Sequence, residues 1–232
     1  MARLRYSGPS RRGNPVCVNL RIIPVMTILP VIALLLAAVP VPSIEAGKAT
    51  RVVPRVELTH GRTHTQLNEK DAVSENDRIH TEANGRARVV LSDGSILNVG
   101  SDSQMTIKAA AGAGPAAGPA TVELAFGKLR AEINKRVSGG TAFEVRTSTA
   151  VCGVLGTTLF VEQTKEFSHV INLSPADSGS QVKVTSSNRR LKKYVTLNPG
   201  QGTLVYKGKA PSDPHVMGQV DRDKFSADTD IP

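Results

Sequence analysis

The chain has 232 residues, enough for one ordinary core with a leader and a tail, and its 20 glycines and 14 prolines suit short strands and frequent turns. Aromatic residues make up only 3% and tryptophan is absent, so stacking platforms for single-stranded nucleic acid or sugar rings are scarce. The formal net charge of +9 is concentrated at the start: without the five arginines and one glutamate of residues 1–46, 24 basic and 19 acidic residues remain, a net of +5. Such an excess suits a mildly basic solvated surface, or an anionic surface such as cell-wall polymer or lipid headgroups.

Residues 1–46 have the order of a secretory signal peptide. Arg3, Arg5, Arg11, Arg12 and Arg21 precede an apolar run from Ile22 to Val41, and Pro42, Ser43, Ile44, Glu45 and Ala46 follow it. Cleavage fits after Ala46, or after Ser43 with Val41 at the third position back. The alternative is an uncleaved membrane anchor, since the run is about long enough to span, although Pro24, Pro30 and Pro40 interrupt it. Gly13, Asn14 and Pro15 after Arg11-Arg12 argue against a twin-arginine signal, and Cys17 precedes the apolar run, where a lipoprotein acylation site would not lie. The expected location is periplasmic or secreted, with membrane contact only through an uncleaved leader. Export also disfavours nucleic acid as a partner. Cleavage leaves Cys152 as the sole cysteine of the mature chain and excludes a disulfide within it. Its setting, Thr149-Ala-Val-Cys-Gly-Val-Leu155, points to burial as a small apolar residue.

Residues 47–76 read as a linker and a first strand. Arg51–Thr59 offers Val53, Val56 and Leu58 for burial, Pro54 marks an edge or a break, and the polar stretch from His60 to Asp77 is mostly loop. A short strand, Asp77–Thr81, precedes an Asn84-Gly85 turn. Two apolar-rich runs between Arg86 and Gly100 then fold about Ser92-Asp93-Gly94-Ser95. Asp-Gly in that setting predicts a hairpin with a type I′ turn and places Ala87, Val89 and Leu91 on one face. Ser103–Lys108 alternates with Met105 and Ile107 facing in, and Ala109–Ala120 is a low-complexity loop tip. Val122, Leu124 and Phe126 face in before a kink at Gly127, and Leu129, Ala131 and Ile133 face in after it. Ser138-Gly139-Gly140 turns the chain into a strand at Phe143–Thr147. Val151–Val161 is apolar enough for burial on both sides, with Gly153 and Gly156 leaving room for close backbone approach. Phe167–Leu173 and Gln181–Thr185 are expected to pair across the turn at 174–179. Strands at Tyr194–Leu197 and Thr203–Lys207 close the series, and residues 208–232 read as an irregular, flexible tail. The fold class is all-β: a single antiparallel β-sandwich or jelly-roll-like domain, its main part spanning residues 77–207.

Candidate chemistry is sparse. A Cys152 nucleophile with His60, His64, His80 or His169 as base would make a thiol peptidase, yet no histidine stands in a motif that positions it. His60 and His64 are spaced for one helix face, but Gly61 weakens a helix there. Asp221, Asp223, Asp228 and Asp230 lack a calcium-loop pattern. No catalytic, cofactor or metal site is therefore expected. Arg189, Arg190, Lys192 and Lys193 form the sharpest basic cluster, either an anionic-partner contact or a charged hairpin tip that discourages edge pairing.

In order along the chain stand Thr81 with Asn84-Gly85, Leu91-Ser-Asp-Gly-Ser95, the run Ser101–Ile107, Val122–Leu129 centred on Phe126-Gly127, Phe143-Glu-Val-Arg-Thr147, and Gly153-Val-Leu-Gly-Thr157 leading into Phe160-Val161. This series, from about Asp77 to Glu162, resembles the FecR domain family. The resemblance implies an exported β-rich domain for protein interaction or sensing, not catalysis, and makes Asp93, Gly94, Ser95 and Gly127, with Gly153, Gly156 and Thr157, motif residues of structural purpose. About twenty residues precede the apolar run, too few for the cytoplasmic anti-sigma segment of the family's transmembrane sensors. The expectation is a stand-alone binding, sensing or signalling module of the cell envelope, with an envelope protein or an anionic glycan or cell-wall polymer as partner. A carbohydrate or cell-wall binding module is the alternative.

Overall fold

Proline has no amide hydrogen to give to a ladder, and the chain changes ladder at Pro54. The computed structural model describes residues 44–109, 119–134 and 143–231; the apolar leader, most of the alanine- and glycine-rich insert and the Ser138-Gly139-Gly140 turn lie outside the described residues. Before Pro54 runs β1 (Glu45–Val53), and after it β2 (Val56–His60), with Val56 and Leu58 buried and Val53 only half-buried. Two strands then stand where loop was expected, β3 (Thr63–Gln66) and β4 (Ala72–Ser74). Every β3 side chain is exposed and only Val73 of β4 is buried, so neither has an apolar alternation to betray it.

The next strands, β5 (Arg78–Thr81), β6 (Arg86–Leu91) and β7 (Ile96–Val99), follow the expected boundaries, and Ala87, Val89 and Leu91 are buried together. The β6–β7 turn is not type I′. Gly94 has φ +83° while Asp93 keeps a negative φ; the Gly94 amide donates to Leu91 O at 2.9 Å and the Leu91 amide to Ser95 O at 2.8 Å. This is a three-residue loop in which a type I turn is followed by a left-handed glycine. The Asp93 carboxylate makes the difference, accepting from the Ser95 amide at 2.8 Å and the Ser95 hydroxyl at 2.9 Å, which holds Asp93 itself in the ordinary right-handed region.

After β8 (Ser103–Ala109) comes β9 (Ala120–Glu132), a single strand that bends at Gly127. Then follow β10 (Phe143–Thr147), β11 (Ala150–Val154), β12 (Thr158–Gln163), β13 (Phe167–Asn172), β14 (Val182–Ser186), β15 (Tyr194–Leu197), β16 (Gln201–Tyr206), β17 (His215–Val216) and one helix, α1 (Gln219–Asp228).

These strands form two ladders with β9 in both. One runs β4-β1-β6-β7-β9-β12-β13-β16-β17, the other β3-β2-β5-β8-β9-β10-β11-β14-β15; we call them ladder A and ladder B. The first half of β9, up to Phe126, pairs with β8 and β10 in ladder B. Its second half, from Gly127, pairs with β7 and β12 in ladder A. Because β9 leaves ladder B in mid-strand, the chain comes back to it running the same way, and β9–β10 is a parallel pair in an otherwise antiparallel set. The expected pairing of 167–173 with 181–185 does not occur: β13 lies between β12 and β16 in ladder A, and β14 between β11 and β15 in ladder B.

The bend also shifts the inward parity. Val122 and Leu124 are buried before it and Leu129 and Ala131 after it, whereas Phe126, expected inside, is 41% exposed and lies edge-on to His80. Inward side chains of both ladders merge into one apolar cluster that includes Leu97, Ile107, Leu124, Phe143 and Leu159; each such side chain stabilises the fold by roughly 1.5–3 kcal/mol when fully buried.

The segment expected to be an irregular tail is ordered and packed. β17 pairs with β16, and α1 lies across the outer face of ladder A, where Phe225 meets Phe160 at 5.0 Å between ring centroids and Met217 joins Ile171 in a second small cluster. Lys128 reaches Asp228 at 2.5 Å. Two apolar anchors in a polar segment leave no periodicity for sequence to show. They do explain why β12 is apolar on both faces: Leu159 and Val161 enter the main cluster, and Phe160 points the other way, under α1.

Candidate binding surface

α1 packs on the outer face of ladder A over β9, β12 and β13, whereas the outer face of ladder B is open. The strand registers lay its outward residues in two rows. One runs Glu123, Arg146, Val151, Thr185, Tyr194 from β9 to β15, and the other runs Thr121, Glu144, Gly153, Lys183, Thr196. On β11 both rows are low, because Val151 is small and Gly153 has no side chain. A furrow follows, of about 920 Å³, with Arg146 and Glu144 on one wall and Lys183, Tyr194, Arg189 and Lys192 on the other. A second hollow of about 400 Å³ shares Lys183 with it and continues past Gly153 toward Gly156, Ser178 and Ser180.

The charges on the two walls differ. Glu123 pairs with Lys108 at 3.3 Å and Glu144 with Arg146 at 2.9 Å, so that side is compensated. On the opposite side the Lys183 ammonium stands 4.5 Å above the Tyr194 ring, which is 56% exposed, and Arg189 and Lys192 have no ion-pair partner among the described residues. The four basic residues singled out in the sequence therefore divide. Arg189 and Lys192 line the furrow, Lys193 pairs with Asp213 at 2.9 Å, and Arg190 is exposed outside it. Lys183, Arg146 and Tyr194 escaped notice because each sits alone on its strand and only pairing between strands gathers them. The outward alternation of β10 and β14 was the signal that could have found the two cations.

The motif residues have structural work. Asp93 and Ser95 bind each other, and the Ser95 hydroxyl accepts from the Asn134 amide at 3.1 Å, tying the β6–β7 turn to the end of β9. Gly127, at φ +93°, lies so near Ser103 that an added Cβ would fall 2.2 Å from its hydroxyl. Gly153 lines the second hollow; Gly156 turns at φ +63°, and the carbonyl of the buried Thr157 accepts the Ile133 amide at 3.0 Å.

The reactive candidates are kept apart. Cys152 is buried on the inner face of β11, where burial first and the Glu144 charge second push its thiol up to about 12, so it is a protonated, inert thiol at neutral pH. His60 binds Asp77 at 2.5 Å, while His64 binds Glu57; His60 closes β2 and His64 lies within β3, so the two do not share a helix face. His80 lies beside Phe126, and His169 lies under α1, edge-on to Phe225 at 5.3 Å and stacked on His215 at 6.1 Å. Asp228 and Asp230 face Lys128 and Arg130.

Residues 77–174 match the family model described as FecR protein, so that span is similar to FecR domains. Among solved structures, the chain is similar to two crystal structures described as a "putative anti-sigma factor" from Parabacteroides distasonis, determined at 1.65 and 2.50 Å. Each is 20% identical over 60% of this chain and 59% of the other, with a TM-score of 0.47. The chain thus spans about three fifths of the length of these structures. No curated protein sequence matches it.

Proposed function

We propose that this protein is an exported, non-enzymatic binding and sensing module of the bacterial cell envelope that meets its partner through the outer face of ladder B. One observation carries the reading: α1 packs over β9, β12 and β13 on the outer face of ladder A, while the outer face of ladder B carries an open furrow with uncompensated cations on one wall. The similarity to FecR domains supports the sensing class, and the buried, protonated Cys152 supports a role without nucleophilic chemistry.

The strand order also bears on export. Ala46 is fully buried in β1, its carbonyl accepts the Ser92 amide at 2.9 Å, and the Ile44 carbonyl accepts the Glu75 amide at 2.8 Å. Cleavage after Ala46 would take these contacts from β1, whereas cleavage after Ser43 leaves them whole. The expected mature protein therefore begins at Ile44.

Envelope fractionation with N-terminal sequencing tests both parts. The expected result is a mature chain starting at Ile44 that sediments with the envelope, and a Lys183→Glu/Arg189→Glu variant of unchanged melting temperature that is released. A folded double variant retained like the wild type overturns the contact face, and a chain that keeps its leader overturns cleavage.

A further inference from the structure

We infer that the ladder B furrow is a binding site for a carboxylated polysaccharide, with a sugar ring against Tyr194 and carboxylates on Lys183, Arg189 and Lys192. This rests on the reading of ladder B as the contact face and gives its ligand a chemical class.

The surroundings of the cations favour a glycan over a protein. Protein interfaces are centred on buried apolar and aromatic anchors; here the furrow offers one exposed aromatic, Tyr194, and its remaining outward positions are mostly hydroxyls and charges. Thr121, Thr185 and Ser187 line the main furrow, and Ser178, Ser180 and Thr196 line its continuation. Thr121, Thr185, Ser187 and Ser178 already donate to Pro119 O, Val151 O, Ser148 O and the Ser180 hydroxyl, so their oxygens are left to accept from sugar hydroxyls, while Ser180 and Thr196 can also donate.

Shape points the same way. The two hollows meet at Lys183, so the groove follows β11 and β14 and is elongated. Lys183 is three strand residues, about 10 Å, from Ser186 where β14 ends, whereas Arg189 and Lys192 lie in the turn beyond. Cations spread along a groove suit a polymer with one charge per ring, not a single compact anion. The absence of a side chain at Gly153 leaves the second hollow open beside Lys183, which already holds its cation against the Tyr194 ring and would share it with a ligand carboxylate.

Calorimetric titration of the purified mature protein with polygalacturonate fragments, dextran and polyglutamate at low salt tests the assignment. Polygalacturonate is expected to bind with an affinity that falls as salt rises, dextran to show no heat, and polyglutamate to bind at least tenfold more weakly. Lys183→Gln/Arg189→Gln should reduce polygalacturonate binding at least tenfold, and Tyr194→Ala should reduce it without changing the weak polyglutamate binding. Equal binding of polyglutamate with no effect of Tyr194→Ala would overturn the glycan in favour of an acidic peptide. Failure of all three probes, while the charge-reversed variant is still released from the envelope, would overturn the ligand class and leave ladder B as the contact face.

Discussion

Ser103 occupies the space that a side chain on Gly127 would need: a Cβ there would lie 2.2 Å from the Ser103 hydroxyl and 2.4 Å from its Cα. The same hydroxyl accepts the Lys128 amide at 2.8 Å, and the Ser103 amide donates at 2.9 Å to Thr81, whose own hydroxyl donates to Gly100 O at 2.6 Å. This buried knot is where β9 passes from ladder B to ladder A. Gly127→Ala is expected to be more destabilising than Gly94→Ala. At Gly94 a Cβ meets only the flexible end of Asn134, at 3.1 Å, and the cost is the left-handed φ, about 1–2 kcal/mol. At Gly127 backbone must also move, and the loss should be larger by about 2 kcal/mol or more. Urea unfolding of both variants measures the order. Gly94→Val should likewise damage folding before binding; a Gly94→Val protein of wild-type stability would count against the turn as a register device.

A second buried polar group ties the ladders together at the β10–β11 turn. The Ser168 hydroxyl lies 2.7 Å from that of Thr147 and 2.5 Å from that of Thr149, and donates to the Gln163 side chain at 2.5 Å. Ser168→Ala strands several of these groups away from water, so a loss of about 1–3 kcal/mol is expected in chemical unfolding.

His169 makes the α1 cover sensitive to acid. Burial first, and His215 second, lower its pKa from the usual 6.5 to about 4, and its buried Nε2 has no hydrogen-bond partner among the described residues. Since the folded value lies below the unfolded one, the unfolded chain takes up the proton first as pH falls. The stabilising contribution is therefore whole above pH 6.5 and declines between pH 6.5 and about 4. Melting temperature should drop through this window, by an amount on the order of 1–2 kcal/mol in stability, and His169→Leu should flatten the drop.

Cys152 should resist iodoacetamide at neutral pH in the folded protein and react once urea unfolds it, because its thiol is fully buried and raised to about 12. Rapid labelling of the native protein would contradict the packing of β11.

Much of the fold could be read from alternation because the strands bury one face: Ala87, Val89 and Leu91 on β6 and Met105 and Ile107 on β8 show it plainly. The limits were physical. β3 and β4 hold their places by backbone pairing with almost no apolar signal. The change of parity across Gly127 was legible, but Phe126 looked inward because the alternation of Val122 and Leu124 was carried right up to Gly127, whereas the inward face ends at Leu124. β13 and β14 are neighbours in sequence with suitable lengths for a hairpin, yet the chain switches ladders between them, a choice made by long-range partners. The furrow was the least legible part. Arg189 and Lys192 could be seen as a run, but Lys183, Tyr194 and Arg146 become neighbours only through the registers of β10, β11, β14 and β15.

The most direct measurement is photo-crosslinking in intact cells from a benzophenone side chain placed at Thr196, on the open face of ladder B, compared with one at Lys224, on the exposed side of α1. Adducts with an envelope component from position 196, lost in the Lys183→Glu/Arg189→Glu background and absent from position 224, are the expected result. Adducts from position 224 with none from 196 would contradict the assignment of ladder B as the face that meets the partner.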